Sequence, residues 1–189
     1  MTDDPRLQKY GSIDEALEAA MWLKNSRPYM FDNSGSFYDF LDRLKVFFEP
    51  RLVIDGKEID AYGMSEDGFG ILRIHEEKWR QRDRLSNVAL MVHELAEGYV
   101  LVTDLASSPN YSDILSEHFE GDFRAQSGLP VCPTCPLPPY LIPFMGQLEL
   151  QLQQHMASGE KGVVDGLIKK IPAIRDYMSY GGIARVTLV

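Results

Sequence analysis

Apolar positions recur with helical spacing along most of this chain and alternate as in a strand only in one short region. From 13 to 24, Ile13, Leu17, Ala20, Met21 and Leu23 follow the period of an amphipathic helix. Ser12 and Glu15 form a capping box at its start. Residues 25–35, with Pro28 and Asn33-Ser34-Gly35, read as a loop. A second helix is expected over 36–48, carrying Phe37, Phe40, Leu41, Leu44, Val46, Phe47 and Phe48 and stopped by Pro50. Asp55-Gly56 between extended runs signals a hairpin, and residues 65–68 mark another turn. Phe69 to His75 alternates well enough for a strand, although Leu72 breaks the period. A polar segment, 76–84, leads into 85–105, so rich in Leu, Val, Met and Ala that it reads as a buried helix.

Residues 111–126 suit a further helix, with Ser112 or Asp113 near its start. Six prolines between 129 and 143 dictate a loop. Helices follow at 144–156, with Leu148, Leu150, Leu152 and Met156 as core candidates, then at 163–171 and 172–180, and 183–189 suits a terminal strand. The expected fold class is α+β, mainly helical, with a small antiparallel sheet preceding a buried central helix. The 189 residues suit a single domain: an N-terminal helical part (1–50), a core (51–128), and the Pro-rich loop with C-terminal helices (129–189).

Charge narrows the function classes. The net charge is -9 and the pI about 4.9, which disfavours a nucleic-acid binder working through a broad basic surface. No apolar run approaches the ~18 residues of a transmembrane helix. The N-terminal Met1-Thr-Asp-Asp-Pro-Arg6 lacks the parts of a signal peptide, and two cysteines are no disulfide framework, so a cytoplasmic location is expected. Residues 91–130 hold seven acids against one base, Arg124. Residues 70–90 carry Arg73, Lys78, Arg80, Arg82 and Arg84.

The candidate chemistry lies in His93-Glu94-Leu95-Ala96-Glu97, three ionisable groups inside the most apolar helix. Charged groups are rarely buried unless paired or metal-bound. His93 and Glu97, four residues apart, share one helical face and could ligate one ion, with Glu94 placed to act on a water. Otherwise these groups pair with arginines such as Arg73 or Arg84, or face solvent. Gly98, costly in a helix interior, marks either a close crossing or a surface position.

Strand, polar connector, His-Glu-x-x-Glu helix and acidic second helix together resemble the small zincin-type metallopeptidases of the ImmA/IrrE-like group, over roughly residues 51–130. The match is at His93 and Glu94. The resemblance implies zinc or another divalent metal, a peptide or protein substrate, Glu94 as general base, and a third ligand from the following helix. Glu97 stands where the family has a second His. Such a site is more anionic and lowers the pKa of bound water less. Glu117, His118 and Glu120 are the third-ligand candidates, with no clean copy of the family's Glu-x-x-Ala element.

Cys132-Pro-Thr-Cys135 has the spacing of half a tetrahedral zinc site, completed by His118 or His155, or of a redox dithiol, or it is two buried or unpaired thiols. The dense aromatic group from Tyr29 to Phe48 reads as core, with a partner groove as the alternative. The competing function is a non-enzymatic acidic interaction protein of a phage or mobile element. It would bind a basic partner surface through the acids of 1–69 and 91–130, and salt would weaken that binding.

Overall fold

The computed structural model describes residues 14–31, 36–66, 69–132, 137–156 and 160–187. Its elements in chain order are α1 (Asp14–Ser26), α2 (Pro28–Phe31), α3 (Ser36–Arg43), β1 (Lys45–Glu49), β2 (Val53–Ile54), β3 (Lys57–Glu58), β4 (Ala61–Glu66) and β5 (Phe69–His75). Then come α4 (Glu76–Gln81), α5 (Arg84–Val102), α6 (Pro109–Gln126), a 3-10 turn (Pro139–Leu141), α7 (Ile142–His155), α8 (Val163–Lys170) and α9 (Pro172–Thr187). The class is α+β and mainly helical.

The central helix α5 starts where Asp83 accepts a hydrogen bond from the Ser86 N–H at 2.9 Å, satisfying an orphan donor of the first turn. Val88, Met91, Val92, Leu95, Ala96 and Val100 are then fully buried. α5 packs most extensively on α6, and also on α1 and β4. Phe31 and Phe37 pack against Tyr99 with their ring centroids 4.9 Å apart, and Phe119 packs on Phe31. Burying each such side chain contributes about 1.5–3 kcal/mol. Gly98 is the close crossing: a Cβ there would lie 3.1 Å from Phe40 Cζ. Gly70 on β5 approaches the same ring, where a Cβ would lie 2.9 Å from Phe40 Cε2. Phe40 thus packs closely against a glycine of the helix and a glycine of the sheet.

The sheet is mixed, not antiparallel. Its order is β1-β5-β4, with β1 parallel to β5 and β4 antiparallel to it. The reason lies at residues 45–49. Helical spacing of apolar positions ends at Leu44, and Val46-Phe47-Phe48 are residues that favour a pleated surface. The helix expected over 36–48 therefore stops at Arg43 and the remainder becomes β1. The Asp55-Gly56 hairpin forms as expected, with Asp55 at φ 51° and Gly56 at φ 76°, both left-handed as a tight two-residue turn requires.

Several other expectations change. α1 turns Ala19, Ala20 and Leu23 inward and leaves Leu17 and Met21 more than half exposed, so small residues make its packing face. The polar segment after β5 forms α4, capped by the His75 side chain. On α7, Leu148 and Leu152 are buried but Leu150 is exposed. The terminal strand expected from Ile183 is helical through Thr187. The Ser12 end of the capping box lies outside the described residues. Among the described residues no helix is long and apolar enough to cross a membrane.

Candidate active site

His93 and Glu97 lie one turn apart on α5, and the next helix supplies the rest of the group. His93 Nε2 is 3.8 Å from Glu97 Oε2 and 3.2 Å from Asp113 Oδ1. On the other side of the ring, Nδ1 lies 3.2 Å from Glu120 Oε2. Asp113 and Glu120 are two turns apart on one face of α6, roughly 10 Å along the axis. That spacing lets them straddle the imidazole, one at each nitrogen. Arg124, one turn on, donates from Nε to Glu120 Oε1 at 2.7 Å and from Nη1 to the Pro130 carbonyl at 3.3 Å. Glu120 is thereby fixed from its far side.

The electrostatics are those of too many acids around one base. Burial works against a charged His93, but the carboxylates of Asp113, Glu120 and Glu94 outweigh it and raise its pKa well above the ordinary value. Burial, opposed by His93 and reinforced by Glu97, Asp113 and Glu120, pushes Glu94 up to about 8. Burial and Asp113, against His93, push Glu97 up to about 7. Glu120 goes the other way: burial is outweighed by His93 and Arg124, which hold its carboxyl below the usual range. At neutral pH the cluster therefore takes up protons in place of a compensating cation.

One nitrogen of His93 and one carboxylate oxygen each from Glu97 and Asp113 lie within 4.8 Å of one another, so this trio could hold a metal ion. Two observations fit such an ion. The acids exceed the cations that face them. His93 Nδ1 lies 3.2 Å from Glu120 Oε2, which leaves Nε2 facing Glu97 and Asp113. A ligand imidazole held by a carboxylate on its second nitrogen is the usual support of a bound metal.

Above the cluster is a cavity of about 540 Å³. His93, Glu94, Asp113 and Glu120 line it together with Lys57, Asp60, Lys78, Arg82, Pro130 and Cys132. Glu94 also borders a smaller void of about 30 Å³ between α5 and the sheet, where Glu97, Gly98 and Phe40 lie.

The site residues expected from sequence divide into those the fold gathers and those it does not. His93, Glu94, Glu97 and Glu120 come together. Asp113 joins them, though its position suggested a helix start. The helix begins at Pro109 with Ser108 as its cap residue, so Asp113 falls a full turn inside. The seven-residue interval between Asp113 and Glu120 was the signal available for finding it. Glu117 is buried but is not among the residues lining the cavity.

His118 faces elsewhere: its Nε2 is 2.8 Å from Glu149 Oε2. His118, Asp122 and Glu149 also converge closely enough for an ion. There, however, the Arg27 guanidinium already bonds both Asp122 and Glu149, and Tyr29 donates to Glu149 at 2.6 Å. That group is a closed ion-pair network. The arginines suggested as partners for the motif are engaged elsewhere, Arg73 with Glu49 and Arg84 with Glu18. Cys132 lines the cavity half-buried, while Cys135 lies outside the described residues. His155 Nδ1 is 2.8 Å from the Gln151 carbonyl.

Comparison with family models, with curated proteins and with solved structures finds no match for this chain.

Proposed function

We propose that this protein is a metal-dependent hydrolase of peptide bonds, with His93, Glu97 and Asp113 as the ligands of a divalent cation and Glu94 as the general base. The observation that carries the reading is the convergence of His93, Glu97 and Asp113 from two helices beside a cavity that Glu94 also lines. Zinc is the first candidate, since one imidazole and carboxylates are ordinary zinc ligands and a three-residue set leaves a position open for substrate. When bound, the ion would supply Lewis acidity, polarising a carbonyl and acidifying water.

The chain's own groups then have distinct tasks. Glu94 takes a proton from the attacking water and returns it to the leaving amine. Its carboxyl is held up at about 8 without an ion. A cation among the neighbouring acids would lower that value and leave Glu94 ionised, as a base must be. Glu120, anchored by Arg124, orients the His93 ring through Nδ1. Ala61 at the start of β4 lines the cavity, and among the described residues β4 is an edge strand paired with β5 alone; an edge strand can receive an extended peptide.

The test is a pair of measurements on one variant. Glu94→Gln should keep zinc at the wild-type stoichiometry and lose at least a hundredfold in cleavage of a casein or mixed-peptide substrate. Cleavage undiminished in Glu94→Gln, or absent from zinc-loaded wild type across such substrates, would overturn the hydrolase reading.

A further inference from the structure

The cavity is polarised, and its polarity has a consequence for what enters it. Acids of α5 and α6 line it together with a second group from β3, α4 and the α4 C-cap, in which cations stand around Glu58 and Asp60. Asp60 is shared by two of these cations: Lys78 Nζ lies 3.0 Å from Asp60 Oδ1, and Arg82 pairs with Asp60 Oδ2. One carboxylate between two cations leaves a positive charge on this wall. Glu58 is engaged by Arg51 at 3.3 Å and by the buried His75, so it does not cancel that charge. Lys57 lines the same wall, is exposed, and makes no ion pair among the described residues. Among the acids of α5 and α6, a divalent cation would neutralise Glu97 and Asp113, and Arg124 already neutralises Glu120. The ion-loaded cavity would thus carry one uncompensated acid, Glu94, and two uncompensated positive charges.

We infer that the wall formed by Lys57, Lys78 and Arg82 selects substrates bearing a carboxylate close to the bond presented to Glu94. The inference rests on the peptide-hydrolase reading for why a peptide enters the cavity. The carboxylate has two sources, an Asp or Glu side chain and the free C-terminus of a chain. Lys57 is the residue on which selection is read, because it is exposed and holds no other part of the fold. Lys78 and Arg82 also tie the β3–β4 connection to α4 through Asp60, so their loss would confuse selection with folding.

The experiment measures binding of fluorescent hexapeptide pools by anisotropy on the Glu94→Gln protein with zinc present, where cleavage is suppressed. Three pools are compared: Asp/Glu-containing with an amidated C-terminus, Asn/Gln-containing and amidated, and Asn/Gln-containing with a free C-terminus. At least one carboxylate-bearing pool should bind about tenfold more tightly than the neutral one, and which pool does so identifies the source. The preference should shrink with added salt and should fall to within about twofold in the same protein carrying Lys57→Glu, with its helical circular dichroism kept. Equal binding of all three pools, or a preference untouched by Lys57→Glu, overturns the inference. Carboxylate-selective binding in a protein whose wild type cleaves nothing keeps the selective wall and overturns the hydrolase reading instead. Cleavage by wild type with no carboxylate preference does the reverse.

Discussion

Replacing Arg27 with Met removes the guanidinium from the network that ties the end of α1 to α6 and α7. Arg27 is 6% exposed, and its guanidinium sits 4.9 Å from the Phe119 ring centroid. It donates to Glu149 Oε1 from Nε at 3.0 Å and to Glu149 Oε2 from Nη2 at 3.2 Å, and it pairs with Asp122. Without it, Glu149 stays buried against His118 and Tyr29 but has lost its guanidinium partner. Breaking a buried pair in this way costs about 3–5 kcal/mol. At roughly 2–4 °C per kcal/mol for a chain of this size, the midpoint should fall by about 6–20 °C.

A pH signature separates this loss from simple loss of packing. Burial raises the Glu149 pKa, but the bonds from His118, Arg27 and Tyr29 outweigh it and hold it at about 2. The ordinary value is 4.5. A depressed folded-state pKa gives stability that is present above the unfolded value and lost as pH falls through the folded one. The difference corresponds to about 3 kcal/mol, lost between about pH 5 and 2. Urea unfolding of wild type, Arg27→Met and Glu149→Gln at pH 7, 5 and 3 measures it. Both variants should be less stable than wild type at pH 7 and should show a shallower decline into acid. Arg27→Met within 1 kcal/mol of wild type, or an acid decline as steep as wild type in Glu149→Gln, would refute this account of the network.

Two further outcomes are expected. Gly98→Ala gains about 1 kcal/mol of helix propensity but presses a methyl group onto Phe40, a ring that Gly70 also approaches closely. Overpacking of about 1–3 kcal/mol should prevail, so thermal unfolding should show a net loss that adding Phe40→Leu reduces. Asp165 accepts from the Ser107 N–H at 3.1 Å and from the Ser107 hydroxyl, joining α8 to the segment after α5. Asp165→Ala should cost about 1–3 kcal/mol in urea unfolding, and Asp165→Asn less.

The sequence carried the fold where one physical signal dominated. The unbroken apolar run made α5 legible, Asp55-Gly56 fixed its hairpin, and β5 followed from alternation. It misled where two signals overlapped. Val46, Phe47 and Phe48 continue an apolar helix face and equally suit a strand, and the partner β5 decided between them. Leu17 and Met21 look like core on hydrophobicity alone, but close packing of α1 on α5 selected the alanines. At the site, the local pair His93 and Glu97 was readable because four residues make one helical turn. The partner from α6 was not, because the register between two helices depends on their packing. Glu120 was on the correct face, and Asp113 shares that face two turns earlier. His118 lay near in sequence but points to a different neighbour, Glu149.

The central claim, an ion held by His93, Glu97 and Asp113, is most directly tested by titrating zinc into chelator-stripped wild type and Asp113→Asn by calorimetry. One ion per chain should bind wild type, with stability raised by about 2.7 kcal/mol at a hundred times the dissociation constant. Asp113→Asn should bind at least tenfold more weakly while keeping its helical circular dichroism. No stoichiometric binding to wild type, or equal affinity in Asp113→Asn, would contradict the account.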